Sequence, residues 1–267
     1  MKKFMRYESV AELSAALRNT EPLQVWKDSW ERTRKGMSDK ECKEFAGCTF
    51  DEAFELLDKG DAERAAMIKA EGEILNESQG ETLPKMEIGV YGCIPSVPNY
   101  LRGVPTNMMR VVREPKRNPI IDVYVDTGIS YYTSLKDAAK ATAKIINVIT
   151  AVEMSGVRVN LYAVFCTKKK ENTAGFAVKI KEANAPLNLL NIAFPMTNSA
   201  FCRVVSLHWL ECSFEKVMTS HGAIVSAKEV ATTFGLDGLT LSVQDTVDCG
   251  YSVERIARMF NEYIKTK

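Results

Sequence analysis

PIIDVYVDTGISYYTSLKDAAKATAKIINVITAVEMSGVRVNLYAVFC, residues Pro119 to Cys166, decides the fold. Ile120, Ile121, Val123, Tyr124 and Val125 form a near-continuous apolar, β-prone run, as does the segment from Val157 to Phe165. Such runs suit strands covered on both faces. Between them, Ile145, Ile146, Val148, Ile149, Ala151, Val152 and Met154 leave polar residues only at Lys144, Asn147, Thr150 and Glu153. That is the narrow wet stripe of a mostly buried helix. Ser134 is a fitting N-cap, Asp137 suits the first turn, and Gly156 suits the left-handed position beyond the end. The reading is a strand (Ile120 to Asp126), a loop (Thr127 to Thr133), a helix (Ser134 to Ser155) and a second strand (Val157 to Cys166). It makes one βαβ unit with parallel, right-handed connection.

Downstream, the polar turn Lys168-Lys169-Lys170-Glu171-Asn172 leads into Gly175 to Lys181, where Phe176, Val178 and Ile180 alternate with Ala177, Lys179 and Lys181. That alternation predicts an antiparallel edge strand with one solvated face. A short helix over Pro186 to Phe194 is broken by Pro195, and a dense apolar helix follows over 197–214. Ser226 to Phe234 reads as a helix stopped by Gly235, Leu239 to Val243 as the last strand, and the segment after Ser252 as an amphipathic helix. The expected fold class is α/β. It is a Rossmann-like, mostly parallel sheet with an antiparallel edge strand, flanked by helices and preceded by an N-terminal helical region.

Upstream, residues 1–19 hold a short amphipathic helix opened by Ser9 and Glu12, with Val10, Leu13, Ala16 and Leu17 on one face, and Trp26 and Trp30 would share a helical face that anchors this arm. Thr49 and Glu52 form a capping box, and two helices around Gly60 suggest an αα-hairpin. Residues 76–82 read as a linker. From 86 to 118, Gly89, Gly92, Pro95, Pro98, Gly103 and Pro105 punctuate the chain, which predicts an ordered, extended loop lying on the body. Its tyrosine Tyr100 is a candidate binding residue, since function concentrates on loops. The expected organisation is 1–85 helical, 86–118 loop, 119–267 α/β domain.

Composition narrows the function. The 267 residues carry a net charge of +1, so no global field favours nucleic acid or an anionic membrane. No apolar run reaches the roughly 20 residues of a bilayer span, and the basic N-terminus lacks the apolar core of a signal peptide. Seven cysteines without a C-x-x-C pair fit reduced thiols in the cytoplasm. Only two histidines, His208 and His221, are present, which disfavours a His-rich zinc site. No P-loop, dinucleotide fingerprint or nucleophile elbow occurs.

Ligands of open α/β sheets sit beyond the carboxyl ends of the strands. Two such ends carry side chains of interest, Asp126-Thr127-Gly128-Ile129-Ser130 and Gln244-Asp245-Thr246-Val247-Asp248. If their strands are neighbours, Asp126, Ser130, Asp245 and Asp248 could converge on a hard cation such as Mg2+. Lys168, Lys169, Lys179, Lys181 and Arg203 could line a groove for a phosphodiester backbone. His208 and Glu211, three apart, could form an acid–base pair or a satisfied buried histidine with its neighbour.

Asp126 and Ser130 resemble the first and last positions of the Asp-x-Ser-x-Ser motif that follows the first strand of von Willebrand factor A domains. Gly128 stands where that motif has its middle serine. The resemblance implies a cation site completed by a protein partner's carboxylate. The chain is also similar to a family of bacteriophage-encoded proteins. The similarity is carried by Phe50-Asp51-Glu52-Ala53 with Leu56, Leu57 and Gly60, and by Pro95, Pro98, Tyr100, Leu101, Gly103, Pro105 and Met108. Met154-Ser155-Gly156-Val157-Arg158-Val159, Val178-Lys179-Ile180-Lys181 and the run from Cys202-Arg203 to Glu211 also belong to it. It covers about 45–214 and implies a phage setting. The expectation is a non-enzymatic binding or assembly protein in the host cytoplasm, engaging a protein partner or a second copy, with no membrane association. Nucleic-acid binding or metal-dependent processing, and a structural place in the virion, are the alternatives.

Overall fold

In a computed structural model, the residues described are 2–27, 33–73, 86–111, 119–130, 132–214 and 223–266. In chain order the strands are β1 (Lys2–Tyr7), β2 (Met86–Gly89), β3 (Ile94–Pro95), β4 (Met108–Val111), β5 (Ile120–Asp126), β6 (Arg158–Lys169), β7 (Asn172–Lys181), β8 (Ala223–Ile224) and β9 (Leu239–Ser242). The first six helices are α1 (Val10–Arg18), α2 (Gln24–Lys27), α3 (Asp39–Ala46), α4 (Phe50–Lys59), α5 (Ala62–Glu73) and α6 (Val97–Leu101). The others are α7 (Leu135–Met154), α8 (Leu189–Thr197), α9 (Leu207–Ser213), α10 (Ala227–Phe234), α11 (Val243–Asp248) and α12 (Val253–Lys265).

β5, α7 and β6 form the expected unit, with β5 and β6 parallel in the register Ile120↔Arg158 to Asp126↔Val164. Ser134 caps α7 by accepting from the Asp137 amide. The main sheet runs β1-β7-β6-β5-β9, with β8 added to β6. β9 is parallel to β5, β7 antiparallel to β6, and β1 parallel to β7.

Its first face presents Val123, Val125, Val159, Leu161, Phe165, Phe176, Val178 and Leu241 to Leu13, Leu17, Phe54, Ile145, Ile149, Phe194, Trp209 and Phe260 of the helices, all within one core. The aromatic centre is Phe176, whose ring lies 5.1 Å from Trp209, 5.9 Å from Phe165 and 6.0 Å from Tyr7. Alanines set a close approach between α5, α7 and α8, where Ala65 and Ile68 meet Ala139, Ala143 and Ala193. Among the described residues, α10 is the helix that packs on the second face, with Val230 and Phe234 over Tyr124, Tyr162, Val164 and Cys166.

Several expectations are corrected. Residues 2–7 form an unexpected strand, while the helix opened by Ser9 is found where it is expected, as α1 from Val10. This strand changes the sheet's edge. β7, expected as an edge with a wet face, is interior and nearly all buried, because β1 pairs with it along Lys2↔Thr173 to Tyr7↔Val178. Its lysines are accommodated by partners: Lys181 Nζ binds Glu153 Oε1 at 2.5 Å, and Lys179 binds Glu8. α8 continues through Pro195 to Thr197 rather than ending before it, and the next segment opens as a π-helix over Phe201–Ser206. β9 ends at Ser242, so Gln244 and Asp245 belong to the first turns of α11. On either side of Gly60, α4 packs on α1 and α8, while α5 packs on α7 and α8. Trp26 does anchor its segment, donating from Nε1 to Phe214 O at 3.1 Å. Trp30, His221 and the linker 76–82 lie outside the described residues.

The chain divides into two units, residues 1–75 with 119–267, and 76–118. The second, expected as an extended loop, contains a small antiparallel sheet, β2-β4-β3, with α6. Gly92 is required there, because a Cβ would stand 2.3 Å from Met109 O. No helix among the described residues is long and apolar enough to cross a membrane.

Candidate functional site

The rim at the carboxyl ends of β5 and β9 gathers the residues singled out in the sequence. Asp126 and Ser242 lie opposite each other in the register. Asp126 is buried, and its Oδ1 accepts from the Gly128 amide at 2.8 Å, closing the loop on itself. Thr127 donates to Val164 O through both its amide and its hydroxyl, at 3.2 and 3.1 Å. Gln244 holds the two loops together. Its Oε1 accepts from the Ser130 amide at 2.8 Å and the Thr133 hydroxyl at 3.0 Å, and its Nε2 donates to Asp248 Oδ1 at 2.8 Å. Asp245 stands in the first turn of α11, its amide bonded to the Ser242 hydroxyl. Ser130 and Asp248 are thus joined through one side-chain amide. Among the described residues no group of three His, Cys, Asp or Glu gathers as a metal would require. The linking role of Gln244 was not read from the sequence, where it appears only as the residue after a strand.

The cations expected to line a groove do not form one row. Lys168 pairs with Glu229 at 2.7 Å. Lys181 is buried under Glu153 and also donates to Val159 O and Glu182 O, at 3.2 and 3.1 Å. Arg203 Nη1 donates to Phe45 O at 2.6 Å, with its guanidinium 5.2 Å from the Phe45 ring. These two are internal fasteners. The hydrogen bond that Lys179 donates to the Glu8 carboxylate raises the pKa of Lys179. The side chain of Lys169 lies outside the described set.

His208 is fully buried, edge-on to Phe50 at 4.9 Å, and its Nε2 donates to Leu17 O at 3.2 Å. Glu211 Oε2 is 3.8 Å from His208 Nδ1, but accepts from the Arg34 amide at 2.8 Å. Arg34 and Glu211 are both nearly inaccessible, with Nε and Oε1 3.4 Å apart. This is a buried cluster in which Arg34 Nε has that ion-pair contact but makes no hydrogen bond. Burial pushes the thiols of Cys48, Cys166, Cys202 and Cys212 up to about 12, which keeps them protonated and poorly nucleophilic.

A further cluster lies on the second face. Tyr124 and Tyr162 stack at 5.1 Å, and the Arg6 guanidinium sits 4.3 Å over Tyr162. Arg6 donates to the Tyr162 hydroxyl and, at 3.2 Å, to Asp122 Oδ2, while Asn160 Nδ2 donates to Asp122 Oδ1 at 2.8 Å. Burial pushes the Tyr124 phenol up to about 12. The sequence did not disclose this cluster, because nothing in it marked residues 2–7, which hold Arg6, as a strand.

The small unit presents a different surface. Ile88, Val90, Tyr91, Ile94, Val97, Tyr100 and Leu101 are all exposed, Leu101 at 78% and Tyr100 at 66%. No large apolar side chain among its described residues is buried. Its order comes from polar links, such as Ser96 N to Asn107 O at 2.7 Å and Asn99 Nδ2 to Thr106 O at 3.0 Å.

No curated protein and no solved structure matches the chain. A family model described as a domain of unknown function, DUF7192, matches residues 2–237. With strand β1, the βαβ unit and α10 all inside that span, the chain belongs to the DUF7192 family.

Proposed function

We propose that the chain is a non-enzymatic binding and assembly protein of phage origin. In this reading a degenerate von Willebrand A-like body carries the small β2-β4-β3 sheet to a protein partner. One observation carries it: a unit of this size leaves seven large apolar side chains in water and buries none of its described ones. Large apolar side chains exposed together on one small unit are what a protein contact covers. The von Willebrand A-like part is supported by the Asp126–Ser130 loop at the end of the first strand of a βαβ unit. The nucleic-acid alternative has less support, because Lys168, Lys179, Lys181 and Arg203 each have a protein partner.

The test replaces Tyr100 or Tyr91 with a photo-crosslinking phenylalanine in cells that make the protein. A discrete adduct, to one partner or to a second copy, is expected, and Leu101→Asp should abolish it. Absence of any adduct at both positions defeats the reading.

A further inference from the structure

β9 is paired on one side only. It bonds to β5, and among the described residues no strand adds to its other edge. Along that edge runs a cleft of about 310 Å³, lined by Thr240, Leu241 and Ser242 of β9. Its walls stand on opposite faces of the sheet. Ser226 and Lys228 come from the α10 side, whose helix packs in the second-face core. Asp245, Thr246, Tyr251 and Met259 come from α11, α12 and the turn between them, which pack in the first-face core. Side chains from both faces of the sheet therefore flank the open edge of β9. Lys228 and Asp245 are exposed, and neither side chain has a partner among the described residues.

We propose that this cleft receives an extended peptide segment of a partner protein as an added strand on β9. The site is separate from the small sheet and does not depend on it. An open strand edge offers amides and carbonyls at fixed spacing, which an extended backbone satisfies and a helix cannot. Four residues of β9 span roughly 13 Å, so the segment is about five residues long. Successive side chains of a strand point to opposite faces. An adjacent acidic and basic pair therefore meets Lys228 on one wall and Asp245 on the other, and hydroxyls of Ser226 and Thr240 line the remaining path.

The test uses two capped pentapeptides, Ac-Thr-Glu-Lys-Val-Thr-NH2 and Ac-Thr-Lys-Glu-Val-Thr-NH2, whose opposite charge order covers both strand directions. Each is titrated into the 15N-labelled full chain. One should shift the amide resonances of Leu239–Ser242 saturably, and its backbone N-methylated form should not. Lys228→Glu, which leaves an acid in the first turn of α10 where the helix dipole favours it, should weaken that peptide at least tenfold. The peptide with lysine in place of its glutamate should recover binding to the variant. No saturable shift at 239–242 with either peptide overturns the proposal, as does a shift that survives N-methylation or is indifferent to Lys228→Glu.

Discussion

The body and the small sheet use the same kinds of side chain for opposite ends. In the body, Phe176, Trp209, Phe201 and Phe260 are fully enclosed and hold the helices to the first face. In the small sheet, Tyr91, Tyr100 and Leu101 are mostly in water. The body's apolar groups supply its cohesion. Those of the small sheet supply little, and its backbone and amide hydrogen bonds do more. Apolar content alone therefore does not report stability; the enclosure of each group does.

The sharpest way to break this comparison is to truncate one aromatic in each region. Phe176→Ala should cost about 3–5 kcal/mol by urea unfolding, since it leaves a cavity among the rings of Tyr7, Phe165, Phe201 and Trp209. Next comes Glu211→Ala, which strands the buried Arg34 guanidinium and should cost about 3 kcal/mol. On the less covered second face, Tyr162→Phe removes one of the acceptors for Arg6 and should cost about 1 kcal/mol. There the tyrosines also give a pH signature. Burial raises the Tyr124 phenol in the folded chain to about 12 while the unfolded chain ionises near 10. Stability should then be unaffected by Tyr124 below pH 10 and fall as pH rises from 10 to 12, and Tyr124→Phe should flatten that decline. The smallest effect belongs to the small sheet. Leu101→Ser should change stability by less than about 0.5 kcal/mol while reducing association measured by crosslinking. A loss comparable to that of Phe176→Ala would mean that Leu101 is enclosed in solution, and the comparison would fail.

The βαβ unit could be read from residues because its signals agree: two β-prone runs, a capped helix with a narrow polar stripe, and Gly156 at the stop, where φ is 96°. The neighbouring placement of β9 and β5 was foreseen only as a condition, since nothing local fixes which strands pair across so long a connection. β1 was missed because Lys2, Lys3 and Arg6 dilute its apolar pattern; its partner is β7, and only tertiary pairing makes it a strand. The status of Lys181 and Arg203 was equally hidden. A lysine in an alternating run looks solvated until the carboxylate that covers it, here Glu153, is placed above it. At the rim the residues singled out lie near the ends of neighbouring strands, but the side chain that links the two loops, Gln244, was not singled out.

The pairing of residue 2 with residue 173 also sets a timetable for biosynthesis. At about 5–20 residues per second, β1 leaves the ribosome on the order of 10–30 s before its partner strand exists. During that interval an aromatic-bearing, positively charged ribbon has no template to join. Pairing of β1 therefore waits on the emergence of β7, and the sheet is complete only once β9 has followed.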